Sequence, residues 1–148
     1  VIEVPRLNFI ESTNSGGFSV DKSVREQLER SAKDGRTAIN KSSADTEKIS
    51  MKSIDSMGIN EPICFMKIDV EGNELECLIG AKETIKKNNY PPFVYEDWGA
   101  KFDWFIPKSQ LLRQFIEKEL GYRTYSLGNR EYLAQHPRHK FQFEITLK

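Results

Sequence analysis

The stretch ICFMKIDVEG, residues 63 to 72, decides the fold of this chain. It opens as an almost unbroken apolar run, which is typical of a strand buried on both faces of a parallel sheet. Lys67, Asp69 and Glu71 then alternate with apolar residues, so an extended backbone projects these charges to one side. Charges at the end of a buried strand are costly unless they are paired or used. Open α/β sheets bind ligands at that end, so the stretch predicts a strand that ends in a ligand site.

A helix is predicted directly after this strand. Gly72 allows a sharp turn, and Asn73 with Glu76 three positions later is typical of a helix N-terminus. Apolar residues then recur at helical spacing, at Leu75, Leu78, Ile79 and Ile85. Strand, acidic turn and helix together make half of a β-α-β unit.

A second apolar strand, FVYEDW at residues 93 to 98, also ends in acidic residues. In a right-handed crossover the two strands are parallel, so Asp69 and Glu96 or Asp97 would reach the same edge of the sheet. Two interpretations stay open for Glu96 and Asp97. Either one takes part in a binding site, or one of them caps the segment that follows.

The remaining elements complete an α/β pattern. The strict alternation over residues 141 to 148 predicts an antiparallel edge strand with one wetter face. The other predicted elements are a surface helix over 21–36 that Asp21 caps, a polar connection over 37–47, a short strand or extended approach over 48–55, a helix that starts at Pro107 and ends at Gly121, a strand over 122–127, a turn at Gly128-Asn129, and a polar connection over 130–140.

Two loops and a histidine pair are further candidates for binding. A turn contains Asn14, Gly16 and Gly17. It is either the tip of a hairpin or a loop whose glycine backbone approaches a ligand closely. The aromatic loop over 99–105 either closes over a substrate or packs beside the core. In QHPRHK, His136 and His139 straddle a proline, which does not suit a helical metal pair. They are either solvated surface residues, or His136 contributes to the site.

Composition excludes several classes of function. Lysine plus arginine and aspartate plus glutamate number 22 each, so no global basic field attracts nucleic acid or an anionic membrane. No apolar run approaches the roughly 20 residues of a membrane span, and no signal peptide is visible. The two cysteines, Cys64 and Cys77, do not make a disulfide framework of the kind that secreted proteins use. We therefore expect a reducing, cytoplasmic location without nucleic-acid or membrane partners.

The segment from Ile49 to Glu96 resembles the FkbM family of S-adenosylmethionine-dependent methyltransferases. The matching residues are Ser53-Ile54-Asp55, Lys67 to Gly72, Glu74, Leu78, Gly80-Ala81 and Glu96. The loop at residues 14–17 is similar to an Asn/Gly-Gly loop of some members. The resemblance implies an α/β, Rossmann-like class I methyltransferase sheet, mostly parallel with an antiparallel C-terminal edge strand. It also implies methyl transfer to a hydroxyl of a sugar, a glycan or a similar small molecule.

One departure from the family concerns the cofactor, S-adenosylmethionine. The glycine-rich strand-turn-helix that holds its methionine part is not found before Ile49, nor is the acid expected to grip its ribose. We therefore expect residues 1–148 to be a single, partial domain lacking the first strands. Residues 1–48 would be a variable loop, hairpin and surface helix, and residues 49–148 the C-terminal half of the core. An upstream segment of the same parent chain, or a second copy, would be the partner.

The resemblance directs the assignment of catalytic roles. Methyl transfer needs alignment of the acceptor oxygen and a carboxylate or histidine as general base. Asp69 is the leading candidate for the base, followed by Glu71 and Glu96. Glu71 has the alternative role of a carboxylate at a helix start. Lys67 would form a buried ion pair that keeps Asp69 charged, and both residues are assigned to the cofactor side.

Three hypotheses complete the analysis. The substrate-binding candidates are Asn14, Gly16, Gly17, Asp97 and His136. Magnesium prefers oxygen ligands. A divalent metal held by Asp69 with Glu96 or Asp97 is therefore an open hypothesis. The alternative to an enzyme is a non-catalytic α/β interaction module that kept the sheet and lost the cofactor site.

Overall fold

The computed structural model describes residues 1–7, 19–33 and 42–143. In chain order the elements are β1 (Ile2–Leu7), α1 (Lys22–Lys33), β2 (Ser42–Ile49), β3 (Met66–Ile68), α2 (Glu74–Ile79), α3 (Lys82–Lys87), β4 (Phe93–Glu96), α4 (Ile106–Gln114), β5 (Arg123–Gly128) and β6 (Glu131–Gln135). The chain forms two compact units, one of Val1–Lys52 with Val70–Asn73 and one of Ser53–Asp69 with Glu74–Lys148.

The first unit contains a two-stranded sheet and a surface helix. β1 and β2 pair antiparallel, with Ile2 opposite Ile49. The predicted helix is confirmed in α1, where the side chain of Asp21 accepts a hydrogen bond from the backbone N–H of Ser23 at 2.8 Å. The prediction of a polar connection over 37–47 was wrong for the described residues 42–47, because pairing with β1 makes them part of a strand. The strand predicted over 48–55 likewise ends at Ile49.

The second unit is built on a four-stranded mixed sheet with the order β3-β4-β6-β5. β3 and β4 are parallel, as the crossover predicted. β6 pairs antiparallel with β4 and with β5, so one of the three strand pairs is parallel. The described sheet is therefore mixed rather than mostly parallel. The physical reason is that the hairpin of β5 and β6 folds back and inserts its second strand beside β4.

The C-terminal part of the chain differs from prediction. Residues 130–140 were expected to be a polar connection, yet they contain β6. This strand lies between β4 and β5, and its residues Leu133 and Ala134 are buried. The strand expected over 141–148 is not formed in residues 141–143, and residues 144–148 lie outside the described part. The antiparallel edge strand of the described sheet is β5 instead.

Helices cover one face of this sheet. α2, α3 and α4 pack on the face that carries Ile68, Phe93 and Tyr95. The core comprises Ile68, Leu78, Ala81, Ile85, Phe93, Tyr95, Leu112, Ile116, Leu120, Tyr122 and Ala134. β3 was predicted to be buried on both faces, and this was wrong. Among the described residues β3 pairs only with β4, and Lys67 and Phe65 are exposed.

The helix predicted after the central strand is divided into α2 and α3. The break falls at Gly80 and Ala81, where Gly80 packs closely against Ser53; a Cβ at Gly80 would lie 3.3 Å from the Ser53 Cβ. The carbonyl of Gly80 accepts the backbone N–H of Asp55 at 2.8 Å. The carboxylate of Asp55 then accepts the backbone N–H groups of Thr84 at 2.7 Å and Glu83 at 3.1 Å. Asp55 thus caps the start of α3.

Candidate functional site

Three carboxylates converge where neighbouring strands of the sheet end. Ile68 pairs with Tyr95, and Glu96 pairs with Glu131. Because side chains alternate along strands, Glu96 and Glu131 project from the face opposite the helices, as does Asp69 one step beyond β3. We call this group the acidic rim, formed by Asp69, Glu96 and Glu131 with the cations Lys67 and Arg130.

Lys67 lies among these carboxylates. Its Nζ is 3.1 Å from Oδ2 of Asp69. The hydrogen bond and the charge of Asp69, together with the charges of Glu131 and Glu96, raise the pKa of Lys67. The predicted ion pair is therefore present, but the prediction of a buried pair was wrong, since the side chains are 61% and 46% exposed. In this solvated setting its role is orientation more than stability.

Glu96 is held more firmly than Asp69. Its Oε2 accepts the indole N–H of Trp98 at 2.7 Å, and its Oε1 lies 3.0 Å from Nη2 of Arg130. The side chain of Glu96 is 19% exposed, against 46% for Asp69. The structure therefore brings the predicted residues Lys67, Asp69 and Glu96 to one rim.

Asp97 points to the other side of the strand. It is fully buried and accepts hydrogen bonds from the backbone N–H of Gly99 at 2.9 Å, Ser109 Oγ at 2.7 Å and Arg113 Nε at 2.8 Å. Asp97 therefore caps the turn that follows the strand, which was one of the two interpretations for Glu96 and Asp97. Its anchoring fixes the strand end on which Glu96 and Trp98 meet.

Glu71 does not continue the alternation that placed it with Lys67 and Asp69. β3 ends at Ile68, and Glu71 has φ +52°, a left-handed backbone conformation. Glu71 also belongs to the first compact unit. The extended backbone on which the predicted position of Glu71 depended therefore ends before Glu71.

His136 lies away from the acidic rim. β6 begins at the rim with Glu131, and His136 follows the far end of that strand. The histidine is buried, stacks on Tyr90 at 4.1 Å between ring centroids and accepts the backbone N–H of Arg138 through Nδ1 at 3.1 Å. Burial, with the charges of Arg138 and His139, lowers its pKa. The interpretation of a solvated surface residue was wrong for His136.

The predicted loops have two outcomes. Asn14, Gly16 and Gly17 lie outside the described residues, so their assignment stays a prediction. The aromatic loop packs beside the core, since Phe102 and Phe105 are buried against Trp98. A Cβ at Gly99 would lie 2.6 Å from Ser109, so this loop requires glycine where it meets α4.

The described residues form neither a cluster suited to a metal ion nor a helix suited to a membrane span. Within residues 1–7, 19–33 and 42–143, no group of three or more His, Cys, Asp or Glu side chains is placed to hold a metal ion. The magnesium hypothesis therefore gains no support. No helix in these ranges is both long and apolar enough to cross a membrane.

Sequence reasoning missed three residues of the rim environment. Glu131 and Arg130 were assigned to a polar connection, and Trp98 was counted only as an apolar strand residue. The available signal was local, because EYLAQ at residues 131–135 follows the turn residues Gly128 and Asn129. In the structure Asn129 and Arg130 form a two-residue hairpin turn with φ values of +48° and +71°. A hairpin prediction would have returned β6 to the sheet.

Comparison with known proteins relates the chain to a protein family. No significant similarity was found to curated proteins or to solved structures. The family model described as the methyltransferase FkbM domain matches residues 6–124. Since this match spans more than half of the 148 residues and includes the parallel strands β3 and β4 that lead to the acidic rim, the chain belongs to the FkbM methyltransferase domain family.

Proposed function

We propose that this chain is part of an S-adenosylmethionine-dependent O-methyltransferase whose acceptor is a hydroxyl of a sugar, a glycan or a similar small molecule. The observation that carries the proposal is the pairing of Lys67 with Asp69 at 3.1 Å at the end of a parallel strand. Membership of the FkbM family supports methyl transfer. We further propose that β3 to β6 are the fourth to seventh strands of a Rossmann-like sheet.

In this proposal Asp69 is the general base. Its Oδ2 contacts Lys67, and 46% of its side chain is exposed. The carboxylate can therefore accept the proton of an acceptor hydroxyl. Lys67 keeps the carboxylate ionised and oriented. Because Lys67 is a cation, we place it with Asp69 rather than in contact with the positively charged cofactor.

The rim fits one part of the cofactor. When bound, S-adenosylmethionine supplies a methyl group carried on a positively charged sulfur. Asp69, Glu96 and Glu131 outnumber Lys67 and Arg130, so the rim has a net negative charge that suits this centre. The described residues contain no glycine-rich turn for the methionine part. We propose that an upstream segment of the same parent chain provides it.

The second face of the sheet supports this proposed partner. Parallel strands normally have both faces covered, and β3 has neither a second neighbour nor a covered outer face among the described residues. An upstream strand beside β3 would pair its free backbone groups. A second copy of the chain is the alternative partner, which sedimentation would reveal.

The test is calorimetric titration of S-adenosylmethionine into this chain and into a version extended upstream, followed by methyl transfer to a panel of monosaccharides. We expect binding by the extended version and loss of at least about a hundredfold in turnover for Asp69→Asn. Asp103→Asn, an exposed carboxylate on the aromatic loop, is the matched control and should keep activity. Wild-type turnover by Asp69→Asn would contradict the proposal.

The second candidate is a non-catalytic α/β interaction module. The solvated state of the Lys67–Asp69 pair favours it, because a base in an active site is usually less exposed. Failure of both versions to bind S-adenosylmethionine, together with a folded domain, would support this candidate.

A further inference from the structure

Glu96 is a carboxylate whose two oxygens are both held. Oε2 accepts the indole N–H of Trp98 at 2.7 Å, and Oε1 lies 3.0 Å from the Arg130 guanidinium. A carboxylate offers about four acceptor sites. The two donors therefore fix its plane and leave one lone pair on each oxygen for an incoming donor.

The backbone of Arg130 is strained where it forms this contact. Asn129 and Arg130 connect β5 to β6 with φ values of +48° and +71°. Glycine is the residue that adopts such values without cost, and asparagine tolerates them better than arginine. The carbonyl of Arg130 also accepts the backbone N–H of Asp97 at 2.9 Å. A strained residue whose side chain reaches a carboxylate at a site points to a functional role.

The rest of the strand end supports the same arrangement. Asp97 is anchored on the helix side by Gly99, Ser109 and Arg113. β4 ends at Glu96, and Trp98 begins the turn that Asp97 caps, from where its indole N–H reaches Oε2 of Glu96. Trp98 is itself buried, so its indole has little freedom to turn away from Glu96.

We propose that Trp98 and Arg130 are positioning residues that hold Glu96 as a fixed hydrogen-bond acceptor for a hydroxyl of the methyl acceptor. The inference rests on the proposed function and gives the two carboxylates different roles. Asp69 takes the proton of one hydroxyl of the acceptor, and Glu96 orients the neighbouring hydroxyl of the same molecule. Adjacent strands lie about 4.8 Å apart, so the acceptor class is a sugar or polyol that presents two neighbouring hydroxyl groups.

The decisive variant is Arg130→Gly in the version of the chain extended upstream. It removes the guanidinium and relieves the backbone strain, so we expect an unchanged or higher melting temperature. The acceptor kcat/KM should fall about tenfold or more, because the hydroxyl loses its orientation. Asn129→Gly is the matched control: it relieves strain at the neighbouring position and should keep both the positioning of Glu96 and the kcat/KM.

A readout independent of turnover is the indole N–H resonance of Trp98, assigned with Trp98→Phe. Titration with D-glucose should shift this resonance in the wild type and in Asn129→Gly, but not in Arg130→Gly. Cyclohexanol, with a single hydroxyl, should shift it less. A lowered melting temperature for Arg130→Gly, or no response of the wild-type resonance to D-glucose, would overturn the inference. If wild type neither binds S-adenosylmethionine nor transfers methyl groups, the proposed function fails, while the glucose titration still decides the role of Glu96.

Discussion

Side chains of similar sequence character have different environments in this protein. Glu96 and Asp97 are adjacent acids, yet Glu96 faces the rim and Asp97 is buried among donors from the turn and α4. The cause is the alternation of a strand, which sends neighbours to opposite faces. His136 is likewise a packed aromatic residue, since it stacks on Tyr90 and contacts Tyr122.

The burial of His136 predicts a pH dependence of stability. Burial, with the charges of Arg138 and His139, lowers its pKa from the ordinary value of 6.5. The unfolded chain then binds the proton more readily than the folded chain as the pH falls. The stabilising contribution is present above about pH 6.5 and is lost as the pH falls through the lower folded pKa.

Chemical denaturation between about pH 8 and pH 5 measures this effect. His136→Phe keeps an aromatic ring and cannot titrate, so its stability should depend less on pH. His139→Gln is the control at the less buried histidine; it removes the smallest of the three causes of the shift and should keep most of the wild-type pH dependence. An unchanged pH dependence in His136→Phe would refute the assignment.

The helices and strands show how a short polar motif sets an element boundary. Ser53-Ile54-Asp55 was part of the family resemblance, and the structure gives Asp55 a local role. Its carboxylate caps α3, and its own backbone N–H binds the carbonyl of Gly80. The motif thereby explains why a helical apolar pattern over Leu75 to Ile85 is divided into α2 and α3.

Removal of this cap should destabilise the fold. For Asp55→Ala we expect a loss of about 1–2 kcal/mol in the free energy of unfolding, because two backbone N–H groups lose their acceptor. Burial opposes ionisation, but the hydrogen bonds from Thr84 and Glu83 outweigh it and lower the pKa of Asp55. Its contribution is therefore present at neutral pH and is lost as the pH falls through the folded pKa.

Urea denaturation at neutral pH and at about pH 3 measures both effects. Asp55→Asn retains one acceptor oxygen and should show an intermediate loss at neutral pH. Glu61→Ala, at an exposed acid, is the control and should change stability by less than about 0.5 kcal/mol. Equal stability of Asp55→Ala and wild type would show that the cap does not contribute.

In the second compact unit the helices cover one face of the sheet; on the other face Leu133 is buried and Lys67 is exposed. β3 is an edge strand of the described sheet, and Phe65 beside it is 45% exposed although it contacts Phe143. Exposed apolar edges favour association. The exposed part of Phe65 is therefore apolar surface that is available for association.

We therefore expect the 148-residue chain to self-associate as its concentration rises. Phe65→Glu should shift the sedimentation coefficient towards the monomer. Leu111→Glu, at a residue of α4 that is 56% exposed, lies on another element and should not. Equal effects of the two variants would show that association does not involve the edge at β3.

The sequence by itself determined the features that depend on local patterns. Apolar runs located β3 and β4, their connection predicted parallel pairing, and the charges that end each strand placed Lys67 and Asp69 at the same rim as Glu96 or Asp97. The motif over residues 67–72 also indicated the FkbM family. The match of the family model to residues 6–124 confirms this prediction.

The tertiary structure alone decided which distant segment completes the rim. β6 inserts between β4 and β5, and so brings Arg130 and Glu131 to the end of β4. It also decided that His136 is buried and that β3 is an edge. Periodicity reports the faces of a single element, whereas strand order and burial follow from long-range packing, which pairs residues far apart in the chain.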